Sequence, residues 1–380
     1  MGKLPSVLID SAVAGGLVLA LLLVVGLDSG AKKAGGGNVV VLEPGSNEPS
    51  GRDRPLRIAV TPTHNDKLGK WDDMGKLLDQ LGEGYRYTMF PIAELLDPDR
   101  RAARIREIDE IDVLFLTCAP GGIEEAITET IKGFVARGGT LYASDWRYRC
   151  VAQAFPDFRA PGLEADGRPQ QVNAKVLDPG LRDILGPSVP LKFDLSKWKP
   201  AAFRGPRVST LIEGEYQPEI GLRRVAPLLV KFPFGKGTVI FTSFHNEKQN
   251  SKVEEKLLRY LVFSAVTARV DNLVNAQMMK GGFSPQKSNL LSASSGSQEV
   301  VQSYQSKNGK RVRFTLGFEN RGARLKLSVT APDGKTTVEE ADQTFYIEQP
   351  NTRGTWQYTV TAIRVPYQDF PFTLTIGESD

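Results

Sequence analysis

Between residues 57 and 268, short apolar runs alternate with segments of helical periodicity. The helical segment at 123–137 is the clearest, because Ile127, Ile131 and Phe134 recur at spacings of four and three before a glycine pair at 138–139. Strands that alternate with helices are typical of a parallel sheet in an α/β domain. The pattern predicts strands at residues 57–61, 85–90, 113–117, 140–144 and 237–243, and helices near residues 71–81, 99–107, 123–137, 151–155 and 251–268.

The last of these strands, 237–243, is apolar on both of its alternating faces, so we expect it to be covered on both sides of the sheet. It leads into His245, one of two histidines in the 380-residue chain. Open α/β sheets bind ligands at the carboxyl ends of their strands. His245 is therefore either a site residue or a hydrogen-bonded structural histidine, and the pattern leaves both alternatives open.

The predicted α/β domain covers residues 56–271 and has two irregular segments in or before it. Residues 28–55 are rich in glycine, proline and small polar residues, which indicates a flexible linker. A short valine-rich run at 39–42 could add an edge strand or remain extended. Residues 157–227 are rich in proline and glycine without a steady period, and we predict an insertion with short strands there.

After residue 272 the chain becomes polar, and the hydrophobic period then changes from helical to alternating. A polar connector leads into residues 285–380, where turn sequences separate short strands. An antiparallel β-sandwich is expected, in which Trp356 and Tyr358 belong to the core, with a ligand-binding surface as the alternative. Its strands are predicted at residues 312–316, 325–329, 344–347, 354–362 and 372–376.

Residues 4–27 are almost entirely apolar and long enough for the roughly 20 residues that a membrane-spanning helix needs. A cleaved signal peptide is the alternative, but the apolar run is longer than a signal peptide needs and the DSGAKK sequence after it is a poor cleavage site, so we predict a single retained transmembrane helix. A cytoplasmic amino terminus is expected, which places the remaining chain in the periplasm or outside the cell. The cell inner membrane is the expected location. Asp10 lies inside this segment, where a carboxylate is costly unless it carries out a function, snorkels to the headgroups or precedes the true span.

Composition excludes some functions and leaves others open. Basic and acidic residues nearly balance, at 48 and 44, and no basic block is present, so a nucleic-acid partner is not expected. The two cysteines, Cys118 and Cys150, lack the spacing of a zinc site or a disulfide framework. Neither a metal nor another cofactor is predicted.

Three motifs together resemble class I glutamine amidotransferase-like domains, the flavodoxin-like relatives that include the trehalose-utilisation group. They are DVLFLTCAPGG at 112–122, GGTLYASDWRY at 138–148 and GTVIFTSFHNE at 237–247. The resemblance implies a flavodoxin-like parallel sheet with helices on both faces. It also places His245 and Glu247 as base and orienting acid.

The chain departs from that family at the position of the nucleophile. The family carries a cysteine at a sharp turn after the second motif's strand, whereas this chain has Ser144 and Asp145 there. Either residue could in principle act with His245, but the flanking residues are not the small ones of a G-x-S-x-G turn. Cys118 follows a different strand, so an unusual geometry would be needed for it to reach His245.

Further polar residues are predicted at the same rim. His64 and Asp66 follow the first strand, and Cys118 and Trp146 follow the third and fourth. Imidazole and carboxylate groups suit a first-row metal ion, and they suit sugar hydroxyls equally well. Without a fixed short spacing they are predicted as ligand-binding residues, with polar lining of a solvated rim as the alternative.

Two weaker resemblances concern the ends of the chain. The PSVLID sequence before the aliphatic run is similar to the single helix of ion-driven stator B subunits, which implies that Asp10 carries a coupling ion. The sandwich resembles pre-peptidase carboxyl-terminal modules, which implies adhesion or docking. The resulting hypothesis is a membrane-anchored, non-catalytic binding or scaffold protein, with a motor subunit as a variant. Its partners would be the membrane and an envelope or carbohydrate ligand, and its transmembrane helix would contact a second copy of the chain or another membrane protein.

The alternative function is that of a hydrolase or amidotransferase that uses Ser144 or Asp145 with His245.

Overall fold

The computed structural model describes residues 38–41, 56–62, 72–118, 124–246, 249, 251–294, 299–319 and 322–380. Its largest sheet has nine strands, five of which are parallel to one another. Numbered among themselves in chain order, these five follow the order 2-1-3-4-5, which is one of the two common doubly wound arrangements. They are β2 (Ile58–Val60), β3 (Tyr87–Met89), β4 (Val113–Leu116), β5 (Thr140–Ser144) and β10 (Gly237–Thr242).

Helices cover both faces of this sheet, as the sequence predicted. On β10, Ile240 packs into one hydrophobic cluster, whereas Val239 and Phe241 pack into the other. The apolar character of both faces of the strand therefore reflects two separate cores. Helices α1 (Met74–Leu81), α5 (Pro179–Leu185) and α6 (Lys252–Lys280) contribute to the first cluster, and α2 (Pro98–Glu110), α3 (Glu124–Ala136) and α4 (Tyr148–Ala154) contribute to the second.

The irregular segment after α4 extends the same sheet. Its strands add antiparallel to β10 on the side away from β5, in the order β10-β9-β8-β6-β7. Trp198 lies in this extension, fully buried and stacked on Phe193 with the ring centroids 3.9 Å apart. The added strands are β6 (Gln170–Val176), β7 (Ser188–Phe193), β8 (Ser209–Tyr216) and β9 (Arg224–Phe234).

The carboxyl-terminal residues form two antiparallel sheets around one shared core, the arrangement of a β-sandwich. Trp356 and Tyr358 are buried in that core, as predicted. Strand β1 (Asn38–Val41) pairs with β16 and adds the edge strand that the sequence allowed. The first sheet also contains β11 (Phe283–Ala293), β13 (Arg311–Gly317), β16 (Phe345–Pro350) and β18 (Phe370–Ser379), and its strand order is β1-β16-β13-β18-β11. The second sheet contains β12 (Glu299–Gln305), β14 (Arg324–Thr330), β15 (Thr336–Ala341) and β17 (Thr355–Arg364), and its strand order is β12-β17-β14-β15.

Two predicted boundaries in this region are wrong. Helix α6 does not end near residue 268 but continues to Lys280, because Val270, Val274 and Met278 recur every four residues and are buried against the sandwich. The polar connector that follows is largely strand β11. This strand lies at the edge of its sheet, and its exposed side chains are Ser284, Pro285 and Ser288.

The predicted transmembrane segment at 4–27, including Asp10, lies outside the described residues. Within the part of the chain that the structure does describe, no helix is both long and apolar enough to cross a membrane. The membrane anchor therefore stays a prediction from the sequence.

Glu378 on β18 gives the sandwich a predictable response to acid. Its carboxylate accepts hydrogen bonds from Tyr304, from the Lys307 backbone N–H at 2.7 Å and from the Gly309 backbone N–H at 2.9 Å. Burial acts to raise the pKa of Glu378, but these hydrogen bonds outweigh it and hold the pKa below 4.5. The stabilisation is therefore present above the unfolded-state pKa and is lost as pH falls through the lower folded-state pKa.

We expect Glu378→Gln to lower the free energy of unfolding by about 1–2 kcal/mol at neutral pH, because the charged hydrogen bonds are weakened. The difference from the wild type should disappear in strong acid. Urea denaturation between about pH 7 and about pH 3 measures this. A difference that stays constant across the range would contradict the assignment.

Candidate functional site

Asp145 occupies the sharp turn between β5 and the helical segment that follows. Its backbone φ is +42°, in the left-handed region, and the chain turns directly into a short 3₁₀ segment and then α4. A strained residue between a strand and a helix is the geometry of a nucleophile elbow. The elbow predicted from the sequence is therefore present, and its central residue is Asp145.

His245, just beyond β10, meets Asp145. Its Nε2 lies 3.0 Å from Asp145 Oδ2, and both side chains are buried. The contact is close, but Nε2 has no aligned hydrogen-bond partner among the described residues. We therefore treat it as an ion-pair contact in which the carboxylate oxygen lies off the direction of the ring N–H.

Cys118 also reaches this pair, which corrects the expectation that its position on another strand would keep it away from His245. Its Sγ lies 3.8 Å from Asp145 Oδ2, and one donor atom from each of Cys118, Asp145 and His245 lies within 4.8 Å of the other two. The reason is the strand order: β4, β5 and β10 are adjacent, so their carboxyl ends share one rim.

Asp145 is held by a loop from the antiparallel extension. The backbone N–H of Lys199 donates to Asp145 Oδ1 at 2.6 Å, while Oδ2 faces Cys118 and His245. On the far side of the imidazole, His245 Nδ1 lies 3.9 Å from Asp194 Oδ1. Both carboxylate oxygens of Asp145 are therefore occupied by protein groups.

Ser144 belongs to a separate buried network. Its hydroxyl donates to Asp72 Oδ2 and accepts from the Cys118 backbone N–H at 2.9 Å. The other oxygen of Asp72 accepts from the Asn246 backbone N–H at 3.1 Å. Asp72 therefore connects the ends of β5 and β10, and the Ser144 hydroxyl is directed to Asp72 rather than to His245.

The protonation tendencies of the three central groups follow from this packing. Burial lowers the pKa of His245, but Asp145 and Cys118 outweigh it and raise the pKa well above 6.5. Burial raises the pKa of Asp145 and, together with the nearby Asp145 charge, raises that of the Cys118 thiol. These directions favour a protonated His245 imidazole and a neutral Cys118 thiol, whereas burial opposes ionisation of the Asp145 carboxyl group.

Of the remaining predicted site residues, the structure describes Trp146 alone. Trp146 is partly exposed, and its Nε1 donates to the Lys197 carbonyl at 3.1 Å. His64, Asp66 and Glu247 lie outside the described residues, so their predicted roles stay predictions. Sequence reasoning missed Asp72, Lys199 and Asp194: Asp72 is one residue from a predicted helix start, and the other two lie in the segment without a period.

Comparisons with known proteins identify no family. No family model and no curated protein matches the chain. Solved structures that are similar include a ThuA-like protein from Parabacteroides merdae, with 13% identity over 56% of this chain and 90% of that one and a TM-score of 0.37. A glutamine amidotransferase from Thermotoga maritima has 10% identity over 60% and 94%, with a TM-score of 0.33.

A third similar structure is the glutaminase domain of CTPS from Trypanosoma brucei, with 12% identity over 56% of this chain and 94% of that one and a TM-score of 0.38. These protein classes are the ones that the sequence motifs resemble. At these identities and TM-scores, however, the likenesses carry no argument about what this chain does.

Proposed function

We propose that this chain is a single-pass, membrane-anchored binding protein whose flavodoxin-like, amidotransferase-like domain performs no amidotransfer. The observation that carries the proposal is the occupant of the elbow. Asp145 stands in the left-handed turn where that chemistry places a thiol, and it is buried with both carboxylate oxygens engaged. A group held in this way positions its neighbours rather than attacking a substrate.

The other candidate nucleophiles support the same conclusion. A cysteine nucleophile reacts as its thiolate, whereas burial raises the pKa of the Cys118 thiol. A serine nucleophile needs a base that accepts its proton, whereas the Ser144 hydroxyl donates to Asp72. The alternative function, a hydrolase with an Asp145 nucleophile, rests on the 3.0 Å contact with His245 and requires that contact to open.

The rest of the chain fits a binding role. The sandwich carries no cluster of metal-ligating side chains in its described part, and its aromatic residues Trp356 and Tyr358 are used in the core. We propose that it docks the protein to an envelope partner or carbohydrate, and that residues 4–27 anchor it in the inner membrane. A motor role for Asp10 is a further variant of the same proposal.

The test is a turnover assay on the full chain in detergent, with glutamine and a panel of esters and amides as substrates. We expect no turnover above background for the wild type and no change in Asp145→Asn or His245→Ala. Turnover by the wild type that both substitutions remove would instead establish the hydrolase alternative. Removing residues 1–27 should release a soluble, folded fragment from the membrane fraction.

A further inference from the structure

Three side chains that can bind metal ions converge at the carboxyl ends of three adjacent parallel strands. Cys118 lies just after β4, Asp145 follows β5 and His245 follows β10. One donor atom from each side chain lies within 4.8 Å of the other two, and all three residues are buried. Three different strands therefore present a sulfur, an oxygen and a nitrogen ligand to one point.

The separations of these atoms suit an ion placed between them. Asp145 Oδ2 is 3.8 Å from Cys118 Sγ and 3.0 Å from His245 Nε2. Zinc binds nitrogen and oxygen at about 2.0–2.2 Å and sulfur at about 2.3 Å, so the ligand atoms of a tetrahedral ion stand roughly 3.2–3.8 Å apart. The Asp145–Cys118 separation lies at the upper end of this range, and the Asp145–His245 separation lies slightly below it.

The lack of an aligned hydrogen bond at one buried nitrogen gives further support. His245 Nε2 is buried, with the residue 5% exposed; it contacts Asp145 Oδ2 at 3.0 Å but forms no aligned hydrogen bond within the described parts of the chain. A buried polar atom without an aligned hydrogen bond is rare in native proteins and often indicates a missing water or ion. This atom is also the one that faces Asp145 Oδ2.

Neighbouring groups orient the ligands as they do around known metal ions. The Lys199 backbone N–H fixes Asp145 Oδ1 and leaves Oδ2 directed at the convergence point. Asp194 Oδ1 lies 3.9 Å from His245 Nδ1, on the side of the ring opposite to Nε2. A carboxylate behind a metal-binding histidine fixes the ring and increases its basicity.

We propose that Cys118, Asp145 and His245 bind one divalent transition-metal ion, and that zinc is the preferred ion. A thiolate, a carboxylate and a neutral imidazole together carry two negative charges, which a divalent cation neutralises inside a buried site. The sulfur and nitrogen ligands select zinc or cobalt over calcium and magnesium, which prefer oxygen. This inference rests on the proposed function, because it names an ion that the proposed binding domain would hold.

Three protein ligands leave the fourth position of a tetrahedral ion for water or for a donor atom of a bound molecule. The ligand class that follows is a small molecule or peptide group that can coordinate zinc through oxygen, nitrogen or sulfur. The metal would then connect Cys118, Asp145 and His245 to a molecule bound at the carboxyl ends of the parallel strands.

The experiment uses the full chain in detergent, without a polyhistidine tag, which is stripped of metal by chelation, incubated with excess Zn²⁺ and dialysed to remove unbound ions. We expect about one zinc ion per chain by elemental analysis. Replacing zinc with Co²⁺ should give the thiolate charge-transfer band in the near ultraviolet and the strong visible bands of tetrahedral cobalt. Substoichiometric zinc, or a cobalt spectrum without the thiolate band, would overturn the proposal.

Variants assign the site to its residues. Cys118→Ser should remove the thiolate band, whereas Cys150→Ala, which changes the other buried cysteine, should retain it. We expect Asp145→Asn and His245→Ala to weaken zinc binding at least about 100-fold, and Asp194→Asn about tenfold. Circular dichroism confirms that each variant is folded; wild-type affinity in a folded Cys118→Ser variant would exclude this site.

The two proposals fail in different ways. Absence of zinc together with absence of turnover removes the metal site and leaves the binding function intact. Stoichiometric zinc together with turnover by the zinc-loaded protein removes the non-catalytic function and leaves the metal site intact.

Discussion

Replacing Asp72 by alanine is expected to lower the free energy of unfolding by about 3–5 kcal/mol, because two buried donors lose a charged acceptor at once. The Ser144 hydroxyl and the Asn246 backbone N–H both donate to this carboxylate. Neither donor is exposed to water, since Asp72 and Ser144 are fully buried and Asn246 is 8% exposed. Denaturant titration of the full chain measures the loss.

Two control variants distinguish the loss of the Asp72 hydrogen bonds from the mere removal of a negative charge. Asp72→Asn keeps one acceptor oxygen and should lose less stability than Asp72→Ala. Asp73→Asn removes a neighbouring charge but preserves the helix cap on the Lys76 backbone N–H, so it should destabilise the protein less than Asp72→Ala. If Asp72→Ala proves no more destabilising than Asp73→Asn, the carboxylate does not connect the two strand ends in the way described.

Gly237→Ala is expected to cost about 3 kcal/mol or more, because overpacking against backbone atoms cannot be relieved by side-chain rotation. A Cβ atom at this position would lie 2.2 Å from the Val135 carbonyl oxygen and 2.3 Å from that of Gly139. Gly237 begins β10, so the added methyl group would push the strand away from α3 and from the start of β5. Thermal and denaturant unfolding measure this cost.

Gly162→Ala is the matched control. This glycine lies in an exposed 3₁₀ turn, and a Cβ atom there would have no neighbour within 4 Å. The same addition of one methyl group should therefore change stability by about 0.5 kcal/mol or less. Equal effects of the two substitutions would show that the close approach at Gly237 is not maintained in solution.

Gly237 and Asp72 constrain the position of β10 at its two opposite ends. Gly237 fixes how closely the strand approaches α3, and Asp72 fixes the loop after the strand to the end of β5. His245 lies immediately before Asn246 in that loop, so its position beside Asp145 depends on both constraints. The close approach of Cys118, Asp145 and His245 therefore depends on the whole sheet rather than on a local sequence motif.

The order of the five parallel strands and of the helices between β2 and β5 was predictable from periodicity alone. Residues 237–243 are apolar on both alternating faces, which indicates a strand covered on both sides, and the structure has β10 there. Trp356 and Tyr358 alternate with polar residues and were correctly expected in the core. Local pattern was sufficient in these cases because burial itself produces the pattern.

The same reasoning failed where burial depended on distant parts of the chain. The end of α6 is covered by the sandwich rather than by its own sheet, so Val270, Val274 and Met278 were not recognised as a helix face. Strand β11 lies at a sheet edge, and its pairing with β18 is set by residues 77 to 96 positions later, from Ala293 with Phe370 to Phe283 with Ser379. No local signal contains such information.

The sequence by itself predicted a strand that leads into His245 and, through the family resemblance, an elbow at Ser144 and Asp145, and it determined that neither of these two residues is a cysteine. Only the tertiary structure decided which elbow residue takes the left-handed conformation, and it is Asp145. Only the structure brought Cys118 to the same point, because adjacency of β4, β5 and β10 in the sheet is set by long-range strand pairing. The set of side chains that meet at the site therefore follows from the order of strands in the sheet, which the spacing of residues along the sequence does not reveal.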